Sequence, residues 1–153
     1  MRVWRVCREA YAADALTGRG GLFTSGRWHT RGRLVVYTSG SLALAALEVL
    51  VHTDKTTLPA DLVRVGIDVP DDLVVSSLDV GALLVDWRAY PAPPELQRLG
   101  DEWLSDSRSA VLAVPSSVVP EEHNFLVNPA HADARRITVA STAPFDLDSR
   151  LRA

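Results

Sequence analysis

The stretch VVYTSGSLALAALEVLVH, residues 35–52, carries the strongest fold signals in this chain. Its first five residues belong to the apolar run LVVYTS at 34–39, which is typical of a buried strand and ends in turn residues. Ser41 is a suitable N-cap for a helix over 42–52, which consists of strong helix formers. Because this helix is apolar almost all round, we expect it to lie in the core.

Further strands and a second main helix are predicted outside this stretch. We expect strands over 2–7, 62–69, 109–116, 124–127 and 136–141, and a short helix over 8–16. The second main helix starts at Pro93 and Pro94, and its apolar stripe is formed by Leu96, Leu99, Trp103 and Leu104. Residues 17–32 contain five glycines without a period and predict a long loop, whereas residues 70–93 are ambiguous. The pattern predicts one α+β domain over residues 1–153.

Composition excludes several classes of protein. The 153 residues are 47% hydrophobic and 23% charged, as in an ordinary globular domain. A charged residue interrupts every apolar run before it reaches the roughly 20 residues of a membrane span. The N-terminus lacks the apolar core of a signal peptide, and Cys7 is the single cysteine, which excludes an internal disulfide. We therefore expect a cytoplasmic protein without a membrane partner.

Charge is unevenly distributed along the chain. The net charge of −3 argues against a direct nucleic-acid partner. Residues 1–33 contain seven Arg and only two acidic residues, which gives this segment a charge of +5, whereas the other 120 residues carry −8. Because guanidinium groups bind phosphate and carboxylate through paired hydrogen bonds, the N-terminal segment is a candidate anion-binding region.

Glu48 is the one acidic residue within the apolar helix over 42–52. A buried carboxylate costs on the order of several kcal/mol unless it is paired or neutralised. Two explanations remain open at this point: an internal ion pair with an N-terminal arginine, or a functional acid at the edge of a cleft.

The segment SGRWHTRG, residues 25–32, has the composition of an anion-binding loop. Its glycines allow the backbone to approach a ligand, and Arg27 and Arg31 offer guanidinium groups. A solvated basic loop is the alternative explanation. The segment matches neither a Walker loop nor a dinucleotide-binding fingerprint. Tyr37, in the strand predicted over 34–39, is either a packed core residue or a residue on which the ring of a ligand stacks.

The segment VPSSVVPEEHNFLVNP, residues 114–129, joins a predicted strand to a polar loop that contains Ser116, Ser117, His123 and Asn124. No G-x-S-x-G elbow is present, which argues against a serine hydrolase. The four histidines do not follow metal-ligand spacings, so we expect no metal site.

Taken together, VWRV near the N-terminus, GRW at 26–28, VVYTSGSLALAALEVLVH and VPSSVVPEEHNFLVNP resemble the RES domain, over roughly residues 2–141. RES proteins are the toxins of bacterial type II toxin–antitoxin modules with Xre-like antitoxins. The resemblance implies an ADP-ribosyltransferase-like fold of the diphtheria-toxin type, with a pair of small sheets around an NAD cleft. It also implies cleavage of NAD+ at the nicotinamide–ribose bond, without a metal.

The resemblance assigns roles to particular residues. The family's Arg, Tyr and Glu fall on Arg27, Tyr37 and Glu48, and its Ser falls on Ser116 rather than Ser117. Asn124 and Arg5 match an Asn and an Arg of the family, while His29 stands where relatives often have Asn. The implied catalytic set is Glu48, Arg27, Tyr37 and Ser116, and the implied NAD-binding set is Arg5, Arg27, Tyr37, Ser116 and Asn124. The guanidinium chemistry of the loop over 25–32 adds Arg31 to the NAD-binding set.

Three functions remain open from the sequence. The first is an NAD+-degrading toxin that uses water or inorganic phosphate as acceptor, and the second is a toxin that transfers ADP-ribose to a protein. The third is a non-enzymatic module that binds a nucleotide. For the toxins we expect an Xre-like antitoxin that covers the cleft and places a carboxylate near Arg27 and Arg31.

Overall fold

The computed structural model of the chain describes residues 1–54 and 57–152. These residues form seven strands and two α-helices, with short 3-10 turns in the connections. The strands are β1 Arg2–Arg8, β2 Val36–Ser39, β3 Leu62–Asp68, β4 Val75–Ser77, β5 Val111–Pro115, β6 His123–Val127 and β7 Thr138–Pro144. The helices are α1 Leu42–His52 and α2 Pro94–Asp106.

The strands form one mixed sheet in the order β4-β5-β6-β2-β1-β3-β7. All neighbouring strands are antiparallel except β4 and β5, which are parallel. Strands β1 and β2 pair only through Trp4 and Ser39, whereas β1 and β3 pair along their whole length. The pair of small sheets that we expected is therefore present as two half-sheets of one sheet, β4-β5-β6-β2 and β1-β3-β7. They are joined at the pair Trp4 and Ser39.

Each helix packs against one half of the sheet. Helix α1 contributes Ala45 and Ala46 to an apolar cluster with Val6 of β1 and Leu62 of β3. Helix α2 packs Leu96 and Trp103 into a second cluster, which also contains Trp28, Val35, Trp87, Leu112, Val114 and Leu126. A third cluster, with Val3, Val36, Val65, Ile67, Val111 and Val127, spans both halves. Apolar burial therefore fixes the two halves relative to each other.

Helix α1 begins where the sequence predicts, because the Ser41 hydroxyl accepts a hydrogen bond from the Leu44 N–H at 3.1 Å. The prediction that it is a core helix is wrong. Leu47 and Val51 are 38% and 59% exposed, since only the opposite face of the helix contacts the sheet. None of the helices in the described ranges is long and apolar enough to cross a membrane.

Most of the other predicted elements are present with shifted ends. Helix α2 begins at Pro94, and its Leu96 and Trp103 are buried as its apolar stripe predicts. The helix expected over 8–16 is wrong, because β1 continues to Arg8 and only a 3-10 turn over Glu9–Tyr11 follows. Residues 17–32 form the expected long loop, with a single 3-10 turn over Arg19–Leu22.

Candidate active site

A cavity of about 1190 Å³ lies at the junction of the two half-sheets. Its walls come from β1, the loop over 17–29, β2, α1 and the segment around Tyr90. Its charged lining residues within the described chain are Arg5, Asp14, Arg19, Arg27 and Glu48. Three arginines against two carboxylates make this cavity suited to an anionic ligand.

Glu48 enters this cavity from α1 with a side chain that is 22% exposed. Its Oε1 accepts hydrogen bonds from Ser116 Oγ at 2.8 Å and from Asn124 Nδ2 at 2.6 Å. Its Oε2 lies 3.8 Å from His52 Nε2, one helical turn away. Within the described chain no arginine forms an ion pair with Glu48. Neutral donors hold Oε1, and Oε2 accepts no hydrogen bond from the described residues.

Ser116 is completely buried behind Glu48. Its hydroxyl donates to Glu48 and accepts hydrogen bonds from the backbone N–H groups of Val118 and Val119, both at 3.1 Å. The adjacent Ser117, by contrast, lines the cavity. Ser116 is therefore placed to orient Glu48, and the substrate contact expected for its hydroxyl is not part of this arrangement.

Asn124 is the second support of Glu48, and it also lines the cavity. Its Oδ1 accepts a hydrogen bond from Ser39 Oγ at 2.7 Å, which leaves Nδ2 to donate to Glu48. Ser39 and Asn124 are direct neighbours in the β2–β6 register. Ser39, which joins the two half-sheets, thus also fixes the side-chain amide of Asn124 that holds Glu48.

Arg27 lies in the wall of the cavity and is bound to backbone carbonyls. Its Nη1 donates to Trp87 O at 2.6 Å and to Ala89 O at 3.2 Å, and its Nη2 donates to Ala89 O at 3.2 Å. Burial lowers the pKa of the guanidinium, and the Glu48 carboxylate opposes this effect. Of its five N–H groups, Nε–H and one Nη2–H have no acceptor among the described residues, and these two form a fork for an oxyanion.

Tyr37 lines the cavity from β2. Its hydroxyl oxygen accepts a hydrogen bond from the Trp28 N–H at 3.2 Å and lies 2.8 Å from His29 Nδ1. Burial raises the pKa of Tyr37 far above its ordinary value, so the side chain remains a neutral phenol. Because the hydroxyl is bound on the protein side, the ring is the part of Tyr37 that a ligand would contact.

The two other arginines of the predicted binding set, Arg5 and Arg31, differ in whether they reach the cavity. Arg5 lines the cavity and donates to Ala15 O at 3.3 Å. Arg31 is exposed and is not among the lining residues, since its loop turns away after His29. Arg19 takes a place in the wall that we did not predict. Only Arg5 and Arg27 of the expected arginines therefore face the cavity.

Sequence reasoning missed three further residues of the site, Arg19, Ser39 and His52. It noted His29 as a departure from the family but assigned it no role in the site. His52 had a local signal, because its position four residues after Glu48 places both on one helix face. Ser39 had none, because its partner Asn124 comes from a distant strand. No cluster of three or more His, Cys, Asp or Glu suited to a metal occurs among residues 1–54 and 57–152.

Comparison with known proteins finds a matching family model and similar sequences. The RES domain matches residues 2–148. The chain is 41% identical over 152 residues to the Prs ADP-ribosylating toxin of a Sphingobium species, covering 97% of this chain and 94% of the relative. It is 42% identical over 154 residues to the Toxin Res of Pseudomonas putida, covering 99% of each.

A solved structure has the same fold. It is a chain in the crystal structure of the M. tuberculosis MbcT–MbcA toxin–antitoxin complex, with a TM-score of 0.77 and 18% identity, covering 94% of this chain and 83% of that one. This likeness confirms the expected fold class, an α+β domain with a mixed sheet beside a cleft. On the family match and the identities above, the chain belongs to the RES domain family.

Proposed function

We propose that the chain is the toxin of a toxin–antitoxin module and cleaves NAD+ at the nicotinamide–ribose bond. The observation that carries this proposal is the Glu48 carboxylate, held through one oxygen at the edge of a cavity that Arg27 and Tyr37 also line. The cavity exceeds the roughly 300–1,000 Å³ of ordinary small-molecule sites, which suits a dinucleotide.

Glu48 supplies the charge that this reaction requires. When the C–N bond to nicotinamide breaks, its electron pair leaves with nicotinamide, and positive charge develops on the ribose. A fixed carboxylate lowers the energy of that charge, and Glu48 Oε2 is the oxygen left for it. Ser116 and Asn124 act as positioning residues, because their hydrogen bonds to Oε1 set the direction of Oε2.

Arg27 is the proposed contact for the pyrophosphate. Its bonds to the carbonyls of Trp87 and Ala89 fix the guanidinium plane, and its Nε–H and remaining Nη2–H match two phosphate oxygens. Arg5 and Arg19 add positive charge to the same cavity. The ring of Tyr37 stacks on or orients the nicotinamide end, and Asn124, which also lines the cavity, binds the ribose.

Transfer of ADP-ribose to a protein is a second candidate with its own support. The Prs ADP-ribosylating toxin, at 41% identity, is named for that activity. Bond cleavage at nicotinamide is common to both reactions, so they differ only in the nucleophile that attacks the ribose. Water or inorganic phosphate gives a small product, whereas a protein nucleophile gives a modified protein.

We propose an Xre-like antitoxin as the inhibitory partner. A chain from a toxin–antitoxin complex shares the fold, which supports a partner of this kind. Acidic groups of the antitoxin would bind Arg27 in the cavity and the exposed Arg31 outside it, because guanidinium groups bind carboxylate and phosphate in similar geometry. Charge reversal by Arg31→Glu should raise the antitoxin concentration needed for half inhibition, measured against the uninhibited rate of the same variant. Unchanged inhibition would contradict this arrangement.

The function is tested by incubating purified protein with NAD+ labelled in the adenine ring. Nicotinamide is measured by chromatography with and without inorganic phosphate, and label on protein is measured by electrophoresis. Release of nicotinamide with a small labelled product supports NAD+ degradation, and label on protein supports the transferase. NAD+ binding without nicotinamide release would leave only the non-enzymatic module.

A further inference from the structure

His29 is buried beside the proposed active site, yet the chemistry above does not use it. It is 4% exposed, and its two ring nitrogens have different partners. Nδ1 lies 2.8 Å from the Tyr37 hydroxyl oxygen, and Nε2 lies 3.0 Å from the carbonyl oxygen of Thr24. Burial lowers the pKa of His29, which favours the neutral ring with one proton.

The protein atoms at the two ends of this chain of hydrogen bonds fix its direction. The Thr24 carbonyl can only accept, so the ring proton of neutral His29 is on Nε2 and Nδ1 is an acceptor. The Trp28 backbone N–H can only donate, so it occupies an acceptor position of the Tyr37 hydroxyl. The phenolic proton of Tyr37 is therefore directed to His29 Nδ1.

The backbone around this pair leaves little room for another arrangement. A Cβ on Gly26 would lie 2.6 Å from the Tyr37 hydroxyl and 2.8 Å from His29 Nδ1. The Gly26 N–H also donates to the His29 carbonyl at 3.0 Å. The glycine of the GRW motif thus lets the loop close over the hydrogen bond between the two rings.

We propose that His29 is a positioning residue for Tyr37, whose hydroxyl it holds so that the ring faces the NAD+ cavity. The proposal rests on the proposed function, because it assigns Tyr37 the nicotinamide end of that substrate. The competing explanation is purely structural: His29 anchors the loop through Thr24, and its contact with Tyr37 has no effect on the reaction.

Two substitutions separate these explanations, because each keeps one half of the imidazole. The Oδ1 of Asn falls near the position of Nδ1, so His29→Asn retains an acceptor for Tyr37 and loses the bond to Thr24. The terminal amide of Gln falls near Nε2, so His29→Gln retains a donor for Thr24 and loses the acceptor for Tyr37.

We expect His29→Asn to keep kcat for nicotinamide release within about twofold of the wild type, and His29→Gln to lower kcat roughly 3- to 10-fold, the value of one hydrogen bond. Melting temperatures report the loss of the loop anchor separately. In a Tyr37→Phe background, His29→Gln should have no further effect on kcat. The opposite order of the two variants, or equal loss in both backgrounds, would overturn the proposal.

A spectroscopic measurement keeps the proposal testable apart from catalysis. In protein labelled with ¹⁵N-histidine, the NMR spectrum at pH 7.5 should show His29 neutral, with its proton on Nε2, and Tyr37→Phe should shift the Nδ1 resonance. A proton on Nδ1, or no shift, would overturn the assignment even if nicotinamide is released. A wild type that shows this signature but releases no nicotinamide would refute the proposed function and leave the hydrogen bond established.

Discussion

At the scale of single residues, the site depends on how one carboxylate is held. The sequence singled out Glu48, Arg27 and Tyr37, because their types and their order along the chain carry the family resemblance. It could not show that Ser116 is buried behind Glu48 rather than exposed to the substrate. That difference depends on the loop after β5, whose backbone N–H groups turn the hydroxyl toward the carboxylate.

Replacing Ser116 tests this positioning role. Ser116→Ala removes one donor to Glu48 and leaves the half-buried N–H groups of Val118 and Val119 without their acceptor. We expect the free energy of unfolding to fall by about 1–3 kcal/mol and nicotinamide release to fall with it. The matched control is Ser117→Ala, which should change stability by less than about 0.5 kcal/mol. Urea unfolding of both variants decides the matter, and equal stabilities would contradict the buried role.

His29 gives the stability a predictable pH dependence. Its pKa is lowered in the folded protein, whereas in the unfolded chain it is near the ordinary value of about 6.5. Between these two values the unfolded chain binds more protons, so stability falls as the pH falls below about 6.5. The contribution has a slope of at most about 1.4 kcal/mol per pH unit, the value for one proton.

This slope is measured by urea unfolding between pH 5 and 8. The difference in unfolding free energy between the wild type and His29→Asn should shrink as the pH is lowered, because only the wild type has this group to protonate. Parallel pH profiles for the two proteins would show that His29 titrates in the folded state as it does in the unfolded chain.

At the scale of elements, α2 supports the loop that carries Arg27 and His29. Asp101 of α2 accepts hydrogen bonds from the Thr30 N–H at 3.1 Å and the Thr30 hydroxyl at 2.7 Å, and Gln97 Nε2 donates to Gly26 O at 3.0 Å. The sequence predicted both the helix and the loop from local patterns. It could not predict that they meet, because their contacts link residues about seventy positions apart.

Gly100 is the closest point of this contact. A Cβ there would overlap the Trp28 carbonyl oxygen, so the helix and the loop backbone touch directly. We expect Gly100→Ala to lower the free energy of unfolding by roughly 1–3 kcal/mol through overpacking. It should do so although Ala is about 1 kcal/mol better than Gly in a helix.

The control for stability is Gly20→Ala, since a Cβ at Gly20 would have no atom within 4 Å beyond Gly20 itself and its two chain neighbours. Thermal unfolding should show a lower melting temperature for the Gly100 variant only. A Gly100 variant that is more stable than the wild type would mean that the loop does not rest on α2.

At the scale of the whole molecule, the cavity exists because the two half-sheets meet at a single residue pair, Trp4 and Ser39. The sequence predicted most of the strands, since alternation and apolar runs are local signals. The order β4-β5-β6-β2-β1-β3-β7 could not be predicted, because pairing between β2 and β6 joins positions about 85 residues apart. The uneven charge of the chain indicated where the cavity's arginines come from. Arg5, Arg19 and Arg27 all belong to residues 1–33, the segment with a charge of +5.

The proposed function predicts an effect on whole cells. Expression of the chain without an antitoxin should lower cellular NAD+ and arrest growth, whereas co-expression of its antitoxin should restore both. NAD+ is measured enzymatically in extracts taken before and after induction. Growth arrest with unchanged NAD+ would point to modification of a protein rather than to NAD+ degradation.

The most direct test of the central claim is nicotinamide release by purified wild type and Glu48→Gln. Gln retains the shape of Glu and an oxygen for Ser116 but carries no charge to stabilise the ribosyl cation, so release should fall about 100-fold or more at an unchanged melting temperature. The matched control, Glu121→Gln at an exposed position, should release nicotinamide as the wild type does. Substantial release by a folded Glu48→Gln protein, or none by the wild type, would contradict the account.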